Sequence, residues 1–290
     1  MTLSFTKHSL LFCCAILLLS GCGADNSEAP TQMLTPLAYT GAITSASIDT
    51  TDDTQLTQLA NSSTRGLGVL TQYAQQNRGD ALALLRELVA LIDVNQLQIA
   101  ANDPQPTSPH PLNSHPCTPT SGSMHYQARD RQARYLVVSF EGVCVNRSTT
   151  PLIINGKLIV DSQTHSFTPD QLSIFLGATP YTPPLGSFQL ENSNVLSLLY
   201  FCHGEVCKIT FDGMNADSNN VFTVTGTEMY DPDEGKLALN GSQLLPCSAT
   251  LGAGLDSPFS TGEATASDGS DAFKIAYSGC GQATHVTLVP

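Results

Sequence analysis

Residues 195–211, VLSLLYFCHGEVCKITF, hold two apolar, β-prone runs on either side of the pair Gly204-Glu205. A glycine in the first position suits a two-residue hairpin turn. In that register Cys202 lies opposite Cys207 at a non-hydrogen-bonded pair, where α-carbons are about 4.5 Å apart and a disulfide can form. The stretch therefore predicts an antiparallel hairpin closed by a Cys202–Cys207 disulfide, with His203 on the opposite face as a surface residue.

Alternating apolar and polar residues predict further strands on both sides of this hairpin. Residues 134–145 place their apolar side chains on one face, and Asn155-Gly156 forms a strong turn signal between two apolar runs. Residues 221–243 read as another hairpin around a Pro- and Gly-containing turn. About ten strands without βαβ alternation predict a mainly β fold, an antiparallel β-sandwich or barrel, over residues 121–290.

A different periodicity marks residues 51–101, where apolar residues recur at three- and four-residue steps. This spacing predicts helices, and Gly79 can end one helix while Asp80 caps the next. We therefore expect a helical hairpin, with a first helix that Gly66 and Gly68 weaken and can split. The pair could make the protein dimerise, or it could simply pack on the β domain that follows.

Six prolines within 16 residues make residues 102–120 an extended linker. His110, His115 and Cys117 lie in this linker at spacings that a metal could use. The prolines hold such a segment open, however, and Cys117 is needed to make the number of cysteines even. We therefore predict no metal site here.

The first 21 residues have the layout of an export signal. Lys7 precedes an apolar core, residues 9–19, that is shorter than the roughly 20 residues needed to span a bilayer. Leu19-Ser20-Gly21-Cys22 resembles the lipobox of bacterial lipoproteins. This resemblance implies that the Cys22 thiol receives a diacylglyceryl group, that residues 1–21 are removed, and that the new amino terminus is acylated.

The same resemblance implies a location. Two or three acyl chains on one residue give stable attachment to a membrane without a spanning helix. Gly23, rather than aspartate, follows the cysteine, and in this family that points to the outer membrane. Residues 22–50, rich in Ala, Ser, Thr, Asp and Pro, are expected to be a flexible tether. The alternative is an ordinary cleaved signal followed by a chance cysteine.

Six cysteines follow Cys22, an even number that in an exported chain predicts three disulfides. They are Cys117, Cys144, Cys202, Cys207, Cys247 and Cys280. Sequence order alone pairs Cys117 with Cys144 and Cys247 with Cys280. A zinc site would need paired short spacings such as Cys-x-x-Cys, which the chain lacks.

Charge excludes some partners. The formal net charge is −13, and it becomes −14 when the leader, whose only charged side chain is Lys7, is removed. A strongly acidic chain does not bind nucleic acid or anionic lipid headgroups electrostatically. The expected contact with a membrane is therefore through the acyl chains on Cys22.

Two acidic loops offer oxygen atoms at alternate positions, as calcium sites do. They are residues 215–219, with Asn215, Asp217 and Asn219, and residues 231–235, with Asp231 and Asp233. Both lack the full ligand set, and Asp, Asn and Gly are also the residues that hairpin turns use. The turn interpretation is therefore preferred.

The sequence contains no Gly-x-Ser-x-Gly, His-Glu-x-x-His or phosphate-binding glycine motif. No catalytic residue, metal ligand or cofactor is therefore predicted. We expect a non-enzymatic binding or structural module of the cell envelope, with a protein or glycan partner. The alternative is an envelope hydrolase whose catalytic groups meet only in the fold, in a cleft where a histidine and carboxylates converge.

Overall fold

The structure, a computed structural model, describes most of the chain after residue 33. The described residues are 34–76, 81–93, 95, 97–98, 110–111, 122–129, 134–147, 150–184, 186–190, 196–210, 213–247 and 257–289. The leader, Cys22, Cys117, His115 and the predicted Gly79-Asp80 helix boundary lie outside them.

Within these ranges the chain forms two helices and fifteen strands. The helices are α1 (Asp53–Gln76) and α2 (Ala81–Ala90). The strands are β1 (His110–Pro111), β2 (Ser123–Ala128), β3 (Tyr135–Arg147), β4 (Thr150–Asp161), β5 (Ser166–Leu176), β6 (Thr179–Tyr181), β7 (Ser187–Leu190), β8 (Leu196–Phe201), β9 (Val206–Thr210), β10 (Met214–Ala216), β11 (Phe222–Asp231), β12 (Gly235–Pro246), β13 (Phe259–Ser267), β14 (Ala272–Tyr277) and β15 (His285–Val289). Neither described helix combines the length and the apolar character that crossing a membrane requires.

All fifteen strands belong to one antiparallel sheet that follows the order of the chain. The order is β1-β2-β3-β4-β5-β7-β8-β9-β11-β12-β13-β14-β15, with β6 pairing with β5 and β10 with β11. The predicted antiparallel, mainly β fold is therefore confirmed. Among the described strands the sheet is not closed, because β1 and β15 end the order without pairing with each other.

Helix α1 lies in the hydrophobic core. It contacts β8, β9 and β11 to β15, and Leu59, Leu67 and Leu70 are fully buried. Asp52 caps its first turn, because Asp52 Oδ1 accepts hydrogen bonds from the backbone N–H groups of Thr54 and Gln55 at 2.9 and 3.1 Å. A helix buried on most of its faces shares one core with the sheet, so helix and sheet form a single compact unit.

Gly66 and Gly68 do not split the first helix, since α1 is continuous over 24 residues. The reason is close packing at Gly66. A β-carbon there would lie 2.5 Å from the Tyr200 hydroxyl oxygen and 3.1 Å from Ile209 Cδ1. Glycine therefore lets the helix approach the sheet, and the packing that results offsets its low helix propensity.

Helix α2 ends at Ala90, and residues 95, 97 and 98 are helical again within the predicted helical region 51–101. Its Leu84, Leu85 and Leu88 are buried, and it contacts α1. Beyond its end, the Asp93 N–H donates a hydrogen bond to the Tyr126 hydroxyl at 3.0 Å. The helical pair therefore packs into the domain that follows it.

Residues 34–50 pack on the sheet, in contrast to the flexible tether expected there. Ser45 forms a parallel bridge with Lys236, and the Ala46 N–H donates to the Lys236 carbonyl at 2.9 Å. Ala46 and Ile48 are 6% and 5% exposed. Two buried apolar side chains and backbone pairing fix a segment whose composition alone looks disordered.

Candidate functional site

The β8–β9 hairpin carries the candidate site, and its register differs from the prediction. Tyr200 pairs with Cys207 and Phe201 with Val206, so residues 202–205 form a four-residue turn. The Cys202 N–H donates to the Glu205 carbonyl at 3.1 Å. The predicted two-residue turn is therefore wrong.

The Cys202–Cys207 disulfide itself is confirmed, with the α-carbons 5.8 Å apart. Because Cys202 has left the strand, it reaches Cys207 from the turn rather than across a pair of strands. The longer turn also takes His203 out of the strand pairing.

His203 contacts a buried carboxylate. Its Nε2 lies 2.9 Å from Oδ2 of Asp231, the last residue of β11, whose side chain is fully buried. The His203 side chain is 27% exposed, so one side of the pair faces solvent. His203 is therefore a surface residue, as predicted, but it also contacts a buried carboxylate, which the sequence did not predict.

Asp231 is the centre of a hydrogen-bond network. The Ser62 hydroxyl of α1 donates to Asp231 Oδ2 at 2.8 Å. The backbone N–H groups of Asp233 and Glu234 donate to Oδ1 at 3.1 and 3.3 Å. A buried carboxylate needs such donors, and these contacts hold it in one orientation.

Tyr200 extends this network into the core. Its hydroxyl donates to the Ser62 carbonyl at 3.0 Å. Burial, reinforced by the negative charge of Asp231, raises the pKa of Tyr200 far above its usual range. Tyr200 therefore stays neutral and acts as a hydrogen-bond donor that ties α1 to β8.

A cleft of about 570 Å³ opens beside His203. Side chains at three- and four-residue steps along α1 form one wall, and the β8–β9 turn forms the other. The Arg65 guanidinium crosses between the walls and donates to the Cys202 carbonyl at 3.2 Å. The polar lining from α1 includes Asp53, Thr54, Thr57, Gln58, Asn61 and Arg65.

The arrangement does not form a Ser-His-Asp triad. In such a triad the serine donates to the histidine, which removes its proton, and the carboxylate orients the histidine from the other side. Here Ser62 and His203 contact the same oxygen, Asp231 Oδ2. Ser62 therefore stabilises a carboxylate and is not activated as a nucleophile.

The opposite side of the sheet holds a buried cation. Lys208 is 5% exposed, and its Nζ lies 4.0 Å from the ring centre of Tyr230 and 5.1 Å from that of Tyr39. Tyr39 comes from the N-terminal segment, and its hydroxyl donates to the Ala42 and Asp231 carbonyls. These contacts attach the segment to the strands that carry the site.

The other sequence predictions have separate outcomes. The Cys247–Cys280 disulfide is confirmed, with α-carbons 5.9 Å apart. Cys144 is disulfide-bonded, whereas its predicted partner Cys117 lies outside the described residues. Asp217 Oδ1 accepts from the N–H groups of Asn219 and Val221 at 2.8 and 2.9 Å, so this acidic loop is a turn.

Ser62 and Arg65 are site residues that sequence reasoning missed, and Asp231 was considered only as a calcium ligand or, preferably, a turn residue. The signal for Ser62 is the polar run Asn61-Ser62-Ser63-Thr64 inside an otherwise buried helix. Such a run in a buried helix indicates that some of its side chains have specific partners, as Ser62 and Thr64 do.

Comparisons of this chain with protein-family models, with curated proteins and with solved structures found no match. The function is therefore inferred from the chemistry of the chain's own residues.

Proposed function

We propose that this chain is a lipid-anchored lipoprotein of the bacterial outer membrane whose folded domain is a non-enzymatic binding module. The lipobox resemblance at Cys22 supports the anchor. The Cys202–Cys207 and Cys247–Cys280 disulfides support an oxidising compartment, because such bonds are rare in the reducing cytosol.

One observation carries the binding role: an open cleft beside a histidine–carboxylate pair that lacks an activated nucleophile. The volume of about 570 Å³ falls within the range of ligand-binding pockets. Hydroxyl and amide groups of Thr57, Gln58 and Asn61 line it, with the charges of Asp53 and Arg65 at its walls. Most of the accessible surface of the cleft is nevertheless apolar, so it suits a ligand that has both apolar and polar groups, such as a peptide segment or a glycan of the envelope.

The alternative of an envelope hydrolase rests on one contact, the 2.9 Å approach of His203 to Asp231. A histidine oriented by a carboxylate can act as a general base on a water molecule. One contact argues against this role. Ser62 donates its hydroxyl hydrogen to the same carboxylate oxygen, so it is not activated as a nucleophile.

The anchor is tested by intact mass of the protein extracted from its native envelope, beside a Cys22→Ser variant. We expect a chain that begins at Cys22 and carries acyl mass, and a variant without it. A wild-type chain that lacks acyl mass would contradict the anchor, whatever its partner.

The binding role is tested by cross-linking in the envelope. Asn61→Arg should fill the cleft and abolish the cross-linked partner, whereas the matched change Asn219→Arg, on an exposed loop, should leave it. In parallel, a fluorophosphonate probe should not label the protein. Labelling that Ser62→Ala removes would favour the hydrolase instead.

A further inference from the structure

Four potential metal ligands meet beside the cleft. Ligand atoms of Cys202, His203, Cys207 and Asp231 all lie within 4.8 Å of one another. Two of these residues come from the β8–β9 turn, and the other two from the neighbouring strands β9 and β11. We propose that these four side chains bind one Zn²⁺ ion when the Cys202–Cys207 disulfide is reduced. This inference goes beyond the proposed binding function and does not depend on it.

The donor set matches zinc chemistry. Two thiolates, one imidazole and one carboxylate make a four-coordinate set of the kind that holds Zn²⁺ tetrahedrally. Thiolates also select zinc over the hard cations magnesium and calcium. Zinc–sulfur bonds of about 2.3 Å place two sulfur atoms about 3.8 Å apart. Cys202 can reach this separation by rotating, because it lies in a turn and its α-carbon is 5.8 Å from that of Cys207.

The surroundings already orient the ligands. Ser62 and the backbone N–H groups of Asp233 and Glu234 fix the Asp231 carboxylate. Second-shell donors of this kind are typical of metal sites. Three anionic ligands and Zn²⁺ leave one negative charge, and the Arg65 guanidinium, hydrogen-bonded to the Cys202 carbonyl at 3.2 Å, lies beside it.

The cleft gives both the ion and a reductant access to the site. Cys202 and His203 line the cleft, whereas Cys207 is fully buried. A dithiol reductant attacks Cys202 Sγ through its thiolate, forms a mixed disulfide and releases the Cys207 thiolate. Its second thiol then releases Cys202 and the reductant becomes a disulfide, so two electrons and two protons are transferred. Zinc displaces both protons, and reoxidation of the two sulfurs by a disulfide oxidant, which takes up the two electrons, expels the metal.

Cobalt(II), a spectroscopic substitute for zinc, tests the site. We expect the reduced protein to bind one equivalent, with thiolate-to-cobalt charge-transfer absorption, and the oxidised protein to show no such absorption. Cys202→Ser/Cys207→Ser should abolish it, and His203→Ala should weaken binding at least about tenfold. The matched variant Cys247→Ser/Cys280→Ser should keep it.

Alkylation of the reduced wild-type protein, measured for each cysteine-containing peptide, tests the site without any substitution that could cause misfolding. Zn²⁺ should slow alkylation of Cys202 and Cys207 and leave Cys247 and Cys280, which serve as internal controls, unchanged. Equal protection of all four cysteines, or of none, would overturn the proposal. Cobalt absorption that survives in Cys202→Ser/Cys207→Ser would overturn it as well.

Discussion

Asp231 joins α1, the β8–β9 turn and the turn after β11 through one buried carboxylate. Asp231→Ala removes the acceptor for Ser62, His203 and two backbone N–H groups. Hydrogen bonds to charged groups contribute about 1.5 to 3 kcal/mol each, and Asp231→Ala removes four of them at once. The substitution also removes the cost of burying a carboxylate, which offsets part of this loss. We expect the free energy of unfolding in urea to fall by about 3 kcal/mol. Asp217→Ala, which removes a similar but exposed turn, should cost clearly less, and equal losses would contradict a central role.

Gly66 tests how closely α1 approaches the sheet. Alanine improves helix propensity, but its β-carbon would lie 2.5 Å from the Tyr200 hydroxyl oxygen. Overpacking of this kind costs about 1 to 3 kcal/mol, so Gly66→Ala should be destabilising by about 2 kcal/mol. Tyr200→Phe removes the atom that clashes. In a double-mutant cycle by urea unfolding, the loss from Gly66→Ala should therefore be smaller in the Tyr200→Phe background.

Glu228 gives the fold a specific dependence on pH. Partial burial disfavours its charge, but hydrogen bonds from Lys236 and Tyr230, with the nearby Lys208, hold the pKa of Glu228 below its usual 4.5. A depressed carboxyl pKa stabilises the fold above the ordinary pKa, and this stabilisation disappears as the pH falls through the folded-state value.

We therefore expect wild type to be more stable than Glu228→Gln at neutral pH, and the difference to shrink below about pH 4.5. Urea unfolding of both proteins, from neutral pH to below about pH 4.5, measures this difference in the free energy of unfolding. Lys236→Met, which removes the first hydrogen-bond donor, should reduce the same pH-dependent difference. A difference that does not change with pH would contradict the assignment.

At the scale of elements, the two described disulfides differ in the loop that each closes. Cys202–Cys207 spans 5 positions and Cys247–Cys280 spans 33. Chain entropy predicts about 2 kcal/mol for the short loop and about 4 kcal/mol for the long one. We expect Cys247→Ser/Cys280→Ser to lower the free energy of unfolding about twice as much as Cys202→Ser/Cys207→Ser. The reverse order would show that local packing outweighs chain entropy.

The β8–β9 hairpin shows what local sequence can predict. Its two apolar runs specify both strands, and the disulfide follows from the short spacing of Cys202 and Cys207. The length of the turn cannot be predicted from the local sequence, because Gly204 suits both the two-residue and the four-residue turn. Its φ of 101° in the four-residue turn is one that glycine adopts easily. A disulfide can form in both registers, so the cysteines do not distinguish them.

At the scale of the whole molecule, the packed N-terminal segment belongs to the domain. Tyr39, Ala46 and Ile48 contact the sheet, and burying an apolar side chain of this size contributes about 1.5 to 3 kcal/mol. A chain that begins at Thr50 should be less stable than one that begins at Leu34 by at least about 3 kcal/mol, measured by urea unfolding. Equal stability of the two would mean that the segment is not part of the core.

The candidate site depends on contacts between distant parts of the chain. Ser62 and Asp231 are 169 positions apart, and His203 and Asp231 are 28 apart. No short sequence spacing therefore predicts that these side chains meet. Strand and helix types follow from periodicity, which is a local property. The burial of α1, and with it the site, follows only from how the sheet folds around the helix.

The order of the cysteines bears on how the chain matures. Both described disulfides join cysteines that follow one another in the sequence, Cys202 with Cys207 and Cys247 with Cys280. If the chain enters the oxidising compartment from its amino terminus, an oxidase that joins thiols in order of emergence makes these native pairs at the first attempt. The consequence is that these two bonds should form at normal yield in cells that lack a disulfide isomerase.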